Sequence, residues 1–413
     1  MSCIISAPST DSGKTTLSLL ISCWASSKGL KLQTFKVGPD YLDQQQLSAI
    51  DQPICRNLDI FLSGEDWVKT TFLKYATKYD FSLIEGAMGL FDGLGSTHYS
   101  STANVAKILN LPIIFIVNAR GQAASLLPLI NGFRNFDNEI QIKGVIFNNV
   151  NSERHKKLIK EVFENQNIDI LGFIPSNNKI ALTKAHLGIV SPKDSDKKIN
   201  IDYFANFADK NLDFQKLQRL LIPSNIEKIL VSQIYNPLEI KSSKPVAIAE
   251  DKIFHFQYPE TKEFLEEIGI PLFSWNLYDD EEIPHDVKTL IIPGGFPEKY
   301  AQHISSSRKS LESLRQFQKT GFIYAECGGM MILGESIKDE SGKEYEMAKI
   351  LPFKSTKGKL SVGYRHIRGI KDSQLIKRNQ IFKGHEFHYW QIEEQIANSL
   401  SNKYHSVNKF TSP

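Results

Sequence analysis

Cysteine is scarce in this chain of 413 residues: Cys3, Cys23, Cys55 and Cys327 are four in all and far apart. With that spacing no disulfide framework is expected. No C-x-x-C pair and no cluster of histidines is present, so a zinc site is not indicated either. Both absences fit a reducing compartment, and the chain is read as cytoplasmic. Long apolar runs are also missing. The longest, such as Leu111 to Val117, fall far short of a membrane span, and Met1 to Ala7 lacks the basic start of a secretory signal. An excess of one charge is absent as well: 49 Lys and Arg against 46 Asp and Glu leave +3. That balance argues against a nucleic-acid or membrane partner. No internal repeat or low-complexity tract is visible.

What remains is the composition of a soluble globular protein, 41% hydrophobic and 23% charged, long enough for two domains. The first strand, Cys3-Ile4-Ile5, enters Ser6-Ala7-Pro8-Ser9-Thr10-Asp11-Ser12-Gly13-Lys14-Thr15-Thr16 and leaves on a helical run, Leu17 to Ala25. Gly13, Lys14 and Thr15 fill the last places of the phosphate-loop pattern G-x-x-x-x-G-K-[ST], while Pro8 stands where its first glycine belongs. Amides at a helix N-terminus bind phosphate oxygens, a lysine neutralises the outer phosphates, and a threonine hydroxyl can ligate magnesium.

Three further strands end in polar residues. Leu32 to Val37 leads into Gly38-Pro39-Asp40-Tyr41-Leu42-Asp43, and Phe81 to Ile84 into Glu85-Gly86-Ala87-Met88-Gly89-Leu90-Phe91-Asp92-Gly93. Ligands of open parallel sheets collect at such strand ends. Asp40 and Asp43 are read either as ligand contacts or as surface turn acids. Glu85 is the expected second magnesium contact, and Asp92 is either a partner in the chemistry or a cap on its turn. Gly144 to Phe147 ends at Asn148-Asn149, a turn or a reader of the adenine edge. Alternating strands and helices predict a doubly covered parallel sheet.

After Gly172-Phe173-Ile174-Pro175 the pattern loosens, and Ser191 to Lys198 reads as a polar, lysine-rich loop. Phe204 to Leu221 reads as a helix and Asn236 to Lys244 as a linker. A second alternation follows: strand Pro245 to Ala249, helix Tyr258 to Ile268, strand Pro271 to Trp275, and strand Thr289 to Ile292 before Pro293-Gly294-Gly295-Phe296-Pro297-Glu298. Gly321 to Met330 then runs an apolar strand into Cys327-Gly328-Gly329, the pattern of a strand-to-helix turn that exposes its cysteine as a nucleophile. If that strand lies beside Thr289 to Ile292, the Gly294-Gly295 turn completes an oxyanion site. Gly384-His385-Glu386-Phe387-His388-Tyr389-Trp390 is dense in titratable and aromatic groups. His385 and His388 are candidates for a base, a substrate contact or a structural role.

In this order the segments resemble the cobyrinic acid a,c-diamide synthase family. The likeness spans the chain. It rests on Ala7-Pro8 before Ser12 to Thr16, on Phe35 to Asp43, Arg56-Asn57-Leu58-Asp59 and Glu85 to Gly93, and on Ser152-Glu153-Arg154-His155, His186-Leu187-Gly188, Ala325 to Gly329 and Gly384 to His388. It implies an α/β protein of two parts. Residues 1–190 form a phosphate-loop synthetase domain of the dethiobiotin-synthetase type, which accounts for Pro8, and 191–243 a helical segment and linker. Residues 244–413 form a class I glutamine amidotransferase domain, Rossmann-like and incomplete at its C-terminus.

The resemblance implies ATP-dependent amidation of the a and c carboxylates of cobyrinic acid, with ammonia taken from L-glutamine. Cobalt-free hydrogenobyrinate is the alternative acceptor. Cys327 is then the nucleophile, with Gly295 and Gly328 holding the oxyanion. Ser12, Gly13, Lys14, Thr15, Thr16 and Asn148 bind ATP. Thr15, Asp40 and Glu85 hold Mg2+, and Asp40, Asp43, Glu85 and Asp92 orient the activated carboxylate. His385 and His388 face the acceptor or a domain interface. An oligomer is compatible with all of this.

The chain also departs from the family. Gln44-Gln45-Gln46-Leu47 follows the acidic pair where relatives carry proline and histidine, and Lys184 stands near a position that is often arginine. The histidine that activates the cysteine in relatives belongs to a late Ala-Ser-aromatic-x-His-x-His segment. No such segment occurs before Pro413, and Ser401 to Pro413 reads as a broken-off loop. An ammonia-only or non-catalytic binding protein is therefore a second expectation, and a ParA-like ATPase, which leaves the second half unused, a third.

Overall fold

The computed structural model describes residues 2–50, 52–180, 199–220, 244–373 and 375–392, and the backbone of 405–410. His186-Leu187-Gly188, Lys184 and the Asn236 to Lys244 linker lie wholly or almost wholly outside these residues. The chain divides into two compact units, 1–235 and 236–411.

The first unit is built on seven parallel strands. These are β1 (Ser2–Ser6), β2 (Leu32–Val37), β3 (Arg56–Leu58), β4 (Phe81–Glu85), β5 (Ile113–Asn118), β6 (Ile142–Asn148) and β7 (Asp169–Ile174). They lie in the order β3-β2-β4-β1-β5-β6-β7. Near-continuous apolar runs such as Ile113 to Val117 suit strands covered on both faces, and all five of those residues are buried. Phe35, Phe72 and Phe115 pack on one face, and Leu17, Leu20 and Ile114 on the other. Each fully buried side chain of this size contributes about 1.5–3 kcal/mol.

One helical expectation is corrected. Phe204 to Leu221 is not one helix: Ile201–Asn211 and Phe214–Leu220 are separated where Leu212 bridges to Gly172 and the Asp213 N–H donates to Leu171 O at 2.8 Å. Pairing with the edge strand β7 outcompetes local helix continuity there. Trp24 of the helix Lys14–Ser27 stacks on Phe214 at 3.7 Å and donates its indole N–H to Asp209 at 2.6 Å, joining both segments to the first unit.

The second unit has a parallel sheet of β8 (Val246–Ala249), β10 (Leu272–Trp275), β11 (Thr289–Ile292) and β13 (Phe322–Ala325), in the order β10-β8-β11-β13. Between its members, β9 (Phe254–Phe256) pairs antiparallel with β12 (Gly294–Gly295). A further sheet contains β14 (Ser336–Lys338), β15 (Glu344–Glu346), β16 (Lys354–Gly369) and β17 (Ile381–Ile392). Its fifth member corrects the expected loop at the C-terminal end. Residues His405–Phe410 form β18, antiparallel to β16. That polar stretch becomes a strand because β16 offers it a backbone edge.

Candidate active sites in the two units

In the first unit β1 ends at Ser6, and the chain turns through Gly13 into the helix Lys14–Ser27. Gly13 has φ 109°, a left-handed value that favours glycine, and a Cβ there would lie 2.4 Å from Asn148 Nδ2. That amide group, at the end of β6, donates to Ser12 O at 2.9 Å. Asn148 therefore holds the backbone of the loop, while Asn149 Nδ2 donates to Asn118 Oδ1. Ser12 Oγ donates to Ser9 O at 2.9 Å, and Thr16 lies in the first turn of the helix. Lys14 is buried and folded back, with Nζ donating to Met88 O at 2.5 Å and Ser9 O at 3.1 Å. Burial, reinforced by the nearby Lys36 ammonium, lowers Lys14 to about 8.

The acids converge on the same loop. Thr15 Oγ1 donates to Glu85 Oε1 at 2.7 Å. Lys36, directly opposite Glu85 across the β2–β4 pair, donates to that oxygen at 2.8 Å and to Asp43 Oδ2 at 2.5 Å. Asp40 Oδ1 accepts from the Asp43 N–H at 2.9 Å. Burial opposes ionisation of Asp43, yet the Lys36 ammonium holds it below the ordinary carboxylate range. For Glu85 burial wins over Lys36 and raises it. Asp40, enclosed by protein though half-exposed at its surface, is raised to about 7 by desolvation and then by the Asp43 charge.

Asp92 stands one turn away. Its Oδ2 accepts from the Gly89 N–H at 2.9 Å, which fixes the turn whose Met88 carbonyl receives Lys14. Leu90 N–H donates to Ala7 O and docks that turn on the phosphate loop. Lys36 was not singled out for a role by sequence. The signal was a lysine inside the buried strand Leu32–Val37, where an unpaired charge is too costly to persist.

In the second unit β13 lies beside β11, as expected, and delivers Cys327 at φ 47°, ψ −116° before the short helix Gly328–Met331. This left-handed turn leaves Cys327 exposed while Gly328 and Gly329 are buried. The Gly295 turn is in direct contact. A Cβ on Gly328 would lie 2.8 Å from Gly295 O and 2.7 Å from Pro297 Cδ, and one on Gly295 would lie 1.7 Å from Ile253 O. The expected oxyanion glycines are thus brought together. Despite its exposed rim, desolvation by the surrounding protein pushes the Cys327 thiol up to about 11. The Gly328 N–H, which donates to the sulfur, opposes that rise, while Glu298 and Glu326 add to it.

His385 and His388 lie on β17, engaged within the hairpin. The His385 ring meets Tyr364, its cross-strand partner, at 5.4 Å, and burial plus the Arg365 charge lower it to about 4. His388 Nδ1 bonds Trp390 O at 2.8 Å, and its Nε2 faces Glu386 at 3.7 Å. The facing His388 ring, then hydrogen bonds from Ser361 and Arg365, hold Glu386 down at about 2.

Comparison with known proteins matches residues 3–187 to the CobQ/CobB/MinD/ParA nucleotide binding domain and 245–408 to the CobB/CobQ-like glutamine amidotransferase domain. A protein of Caldanaerobacter subterraneus subsp. tengcongensis named cobyrinate a,c-diamide synthase is 37% identical over 97% of this chain and 89% of its own length. A protein of the same name from Synechococcus sp. is 34% identical over 97% and 89%. The chain belongs to the cobyrinate a,c-diamide synthase family.

The two family segments of this synthase-family chain fall one in each unit, and each contains one of the constellations just described. Among solved structures, the MinD cell division protein of Aquifex aeolicus aligns at 15% identity and TM-score 0.35 over 54% of this chain and 98% of its own, too distant to argue from. A nucleotide site of this kind implies magnesium, a hard cation that takes oxygen ligands. The residues fit it. Thr15 Oγ1 and Glu85 meet at 2.7 Å, and the buried Glu85 Oε2 and Asp43 Oδ1 have no hydrogen-bond partner. Among the described residues no three His, Cys, Asp or Glu side chains form a metal cage by themselves, so phosphate and water oxygens must complete the shell. Among them also no helix is long and apolar enough to cross a membrane.

Proposed function

We propose that this chain is an ATP- and glutamine-dependent amide ligase that converts the a and c carboxylates of cobyrinate to amides. The observation that carries this reading is the presence, in one chain, of a phosphate loop ringed by acids and a cysteine on a glycine elbow, together with 37% identity to a cobyrinate a,c-diamide synthase over 97% of the chain.

In the first unit Lys14 leaves the Met88 and Ser9 carbonyls for the outer phosphates, and the amides of Ser12 to Thr16 cradle the remainder. Magnesium, when bound with the nucleotide, neutralises phosphate charge, with Thr15 and Glu85 as its protein ligands and Asp40 and Asp43 ordering the acidic wall. A corrin carboxylate oxygen attacks the γ-phosphorus, and ADP departs. Ammonia then attacks the acyl carbon, and inorganic phosphate leaves. Asp92 acts by holding the turn that positions Lys14, and Asn148 by holding the loop.

In the second unit the Cys327 thiolate attacks the glutamine side-chain carbonyl carbon. The Gly295 and Gly328 amides receive the oxyanion, ammonia leaves, and water hydrolyses the thioester to glutamate. His385 and His388, with the Arg365–Glu386 pair, are proposed to contact the acceptor. A thiol at about 11 needs a base. That observation supports a second reading, in which synthesis runs on ammonia alone.

The test is amidation of cobyrinate and hydrogenobyrinate with ATP, supplied with glutamine or with ammonium chloride. Product from both nitrogen donors is expected. Product from ammonium alone establishes the second reading, and none from either donor overturns both.

A further inference from the structure

Lys36 is a buried cation in the position a metal ion would compete for. It is 3% exposed, and its ammonium bridges Asp43 Oδ2 at 2.5 Å and Glu85 Oε1 at 2.8 Å, with Gly86 O at 3.4 Å. Glu85 Oε1 is the same oxygen that accepts the Thr15 hydroxyl. The carboxylates offer more oxygen than one ammonium can use: among the described residues no N–H or hydroxyl donor reaches the buried Asp43 Oδ1 and Glu85 Oε2, and the Asp43 carboxyl meets only other carboxyls, those of Asp40 and Glu85, on its remaining side. Lys36 pairs directly with this acidic wall, and a second ammonium, Lys14, lies close enough to feel its charge while bonded to the Ser9 and Met88 carbonyls. A bare divalent cation would add two positive charges beside them in a medium that screens charge poorly. Nucleotide phosphates reverse that balance, and they also draw Lys14 away.

We propose that the Lys36 ammonium is a resident counter-ion that excludes bare divalent cations from Glu85 and Asp43, so that the metal enters only with nucleotide. When the metal takes Glu85, Lys36 keeps Asp43 and the Gly86 carbonyl. The consequence is order: the acidic wall is charge-satisfied and closed to metal before ATP arrives, and metal binding reports nucleotide occupancy. The inference rests on the reading that Thr15 and Glu85 hold the metal of a nucleotide complex.

The experiment uses the full chain with Mn2+ as the probe, its binding followed by electron paramagnetic resonance with and without ADP. The wild type should bind MnADP at least about tenfold more tightly than Mn2+ alone, and Lys36→Met should gain at least about tenfold in affinity for Mn2+ alone. Adding Glu85→Gln to Lys36→Met should abolish that gain, which locates it. Because Lys36→Met leaves the acids uncompensated and can fail to fold, the charge-balanced pair Lys36→Met/Asp43→Asn is compared with Asp43→Asn and should also bind Mn2+ alone more tightly. If MnADP binds the wild type but neither Lys36 variant gains affinity for Mn2+ alone, the proposal is overturned. Failure of the wild type to bind MnADP overturns instead the nucleotide-site reading beneath it.

Discussion

The phosphate-loop site and the cysteine site both lie at carboxyl ends of parallel strands, yet different forces hold them in shape. Around Lys14 the geometry is maintained by opposite charges: Lys36 clamps Asp43 and Glu85, Glu85 receives Thr15, and Lys14 is parked on two carbonyls. Around Cys327 it is maintained by backbone: a left-handed turn, two glycines in contact, and an amide aimed at the sulfur. The difference teaches where each site is vulnerable. Changes of charge should damage the first, and added side-chain atoms the second.

Removing the proposed nucleophile separates the two most completely. Cys327→Ala should cut glutamine-dependent amidation by about 10³-fold or more while ammonium-dependent amidation persists, measured as amide formed with each nitrogen donor. Lys14→Ala should act the other way, lowering amidation from both donors about 10²-fold or more and leaving glutamine hydrolysis by the second unit in place. If Lys14→Ala still makes amide at the normal rate, the charge-built site is not where ATP is used.

Gly328→Ala probes the backbone directly. Its Cβ would press on Pro297 and the Gly295 carbonyl, so glutamine-dependent turnover should fall about 100- to 1000-fold, as for a lost oxyanion donor. The comparison is broken if the ammonium-driven rate falls equally. A smaller effect is expected from Asn148→Ala, which frees the Ser12 carbonyl and loosens the loop. KM for ATP should rise about two- to fivefold, in line with one neutral hydrogen bond, while KM for glutamine stays unchanged.

The gentlest test is pH. Asp40 is raised from 3.8 to about 7, so the folded chain holds a proton that the unfolded chain releases near pH 4. The stabilisation this provides is complete below about pH 4 and is lost as pH rises toward 7. Asp40→Asn should flatten the decline in Tm across that interval, and an unchanged slope would remove Asp40 from the charge network.

Most of the two parallel sheets was legible because their strands are apolar runs bounded by glycine and polar turns; Leu32–Val37 in the first and Thr289–Ile292 in the second form with the ends expected for them. The phosphate loop and the cysteine elbow were legible because each is a local pattern, a few residues whose chemistry depends on their immediate neighbours. Lys36 was not, since its partner Asp43 is 7 residues away and returns to it on the helix Leu42–Ser48, and Glu85, 49 residues away, meets it only through the pairing of β2 with β4. The break between Asn211 and Phe214 and the strand His405–Phe410 were missed for the same reason, because each is imposed by a strand distant in sequence.

By itself, then, the sequence determined two α/β units, a strand-to-helix turn at Gly13 and a cysteine elbow at Cys327, since local backbone chemistry suffices for all of them. Only the tertiary structure decided that Glu85 is shared by Thr15 and Lys36, that Asn148 and Asp92 hold backbone near Lys14, and that Gly295 touches Gly328. Those contacts depend on which strands become neighbours, and burial then sets how much each charge counts.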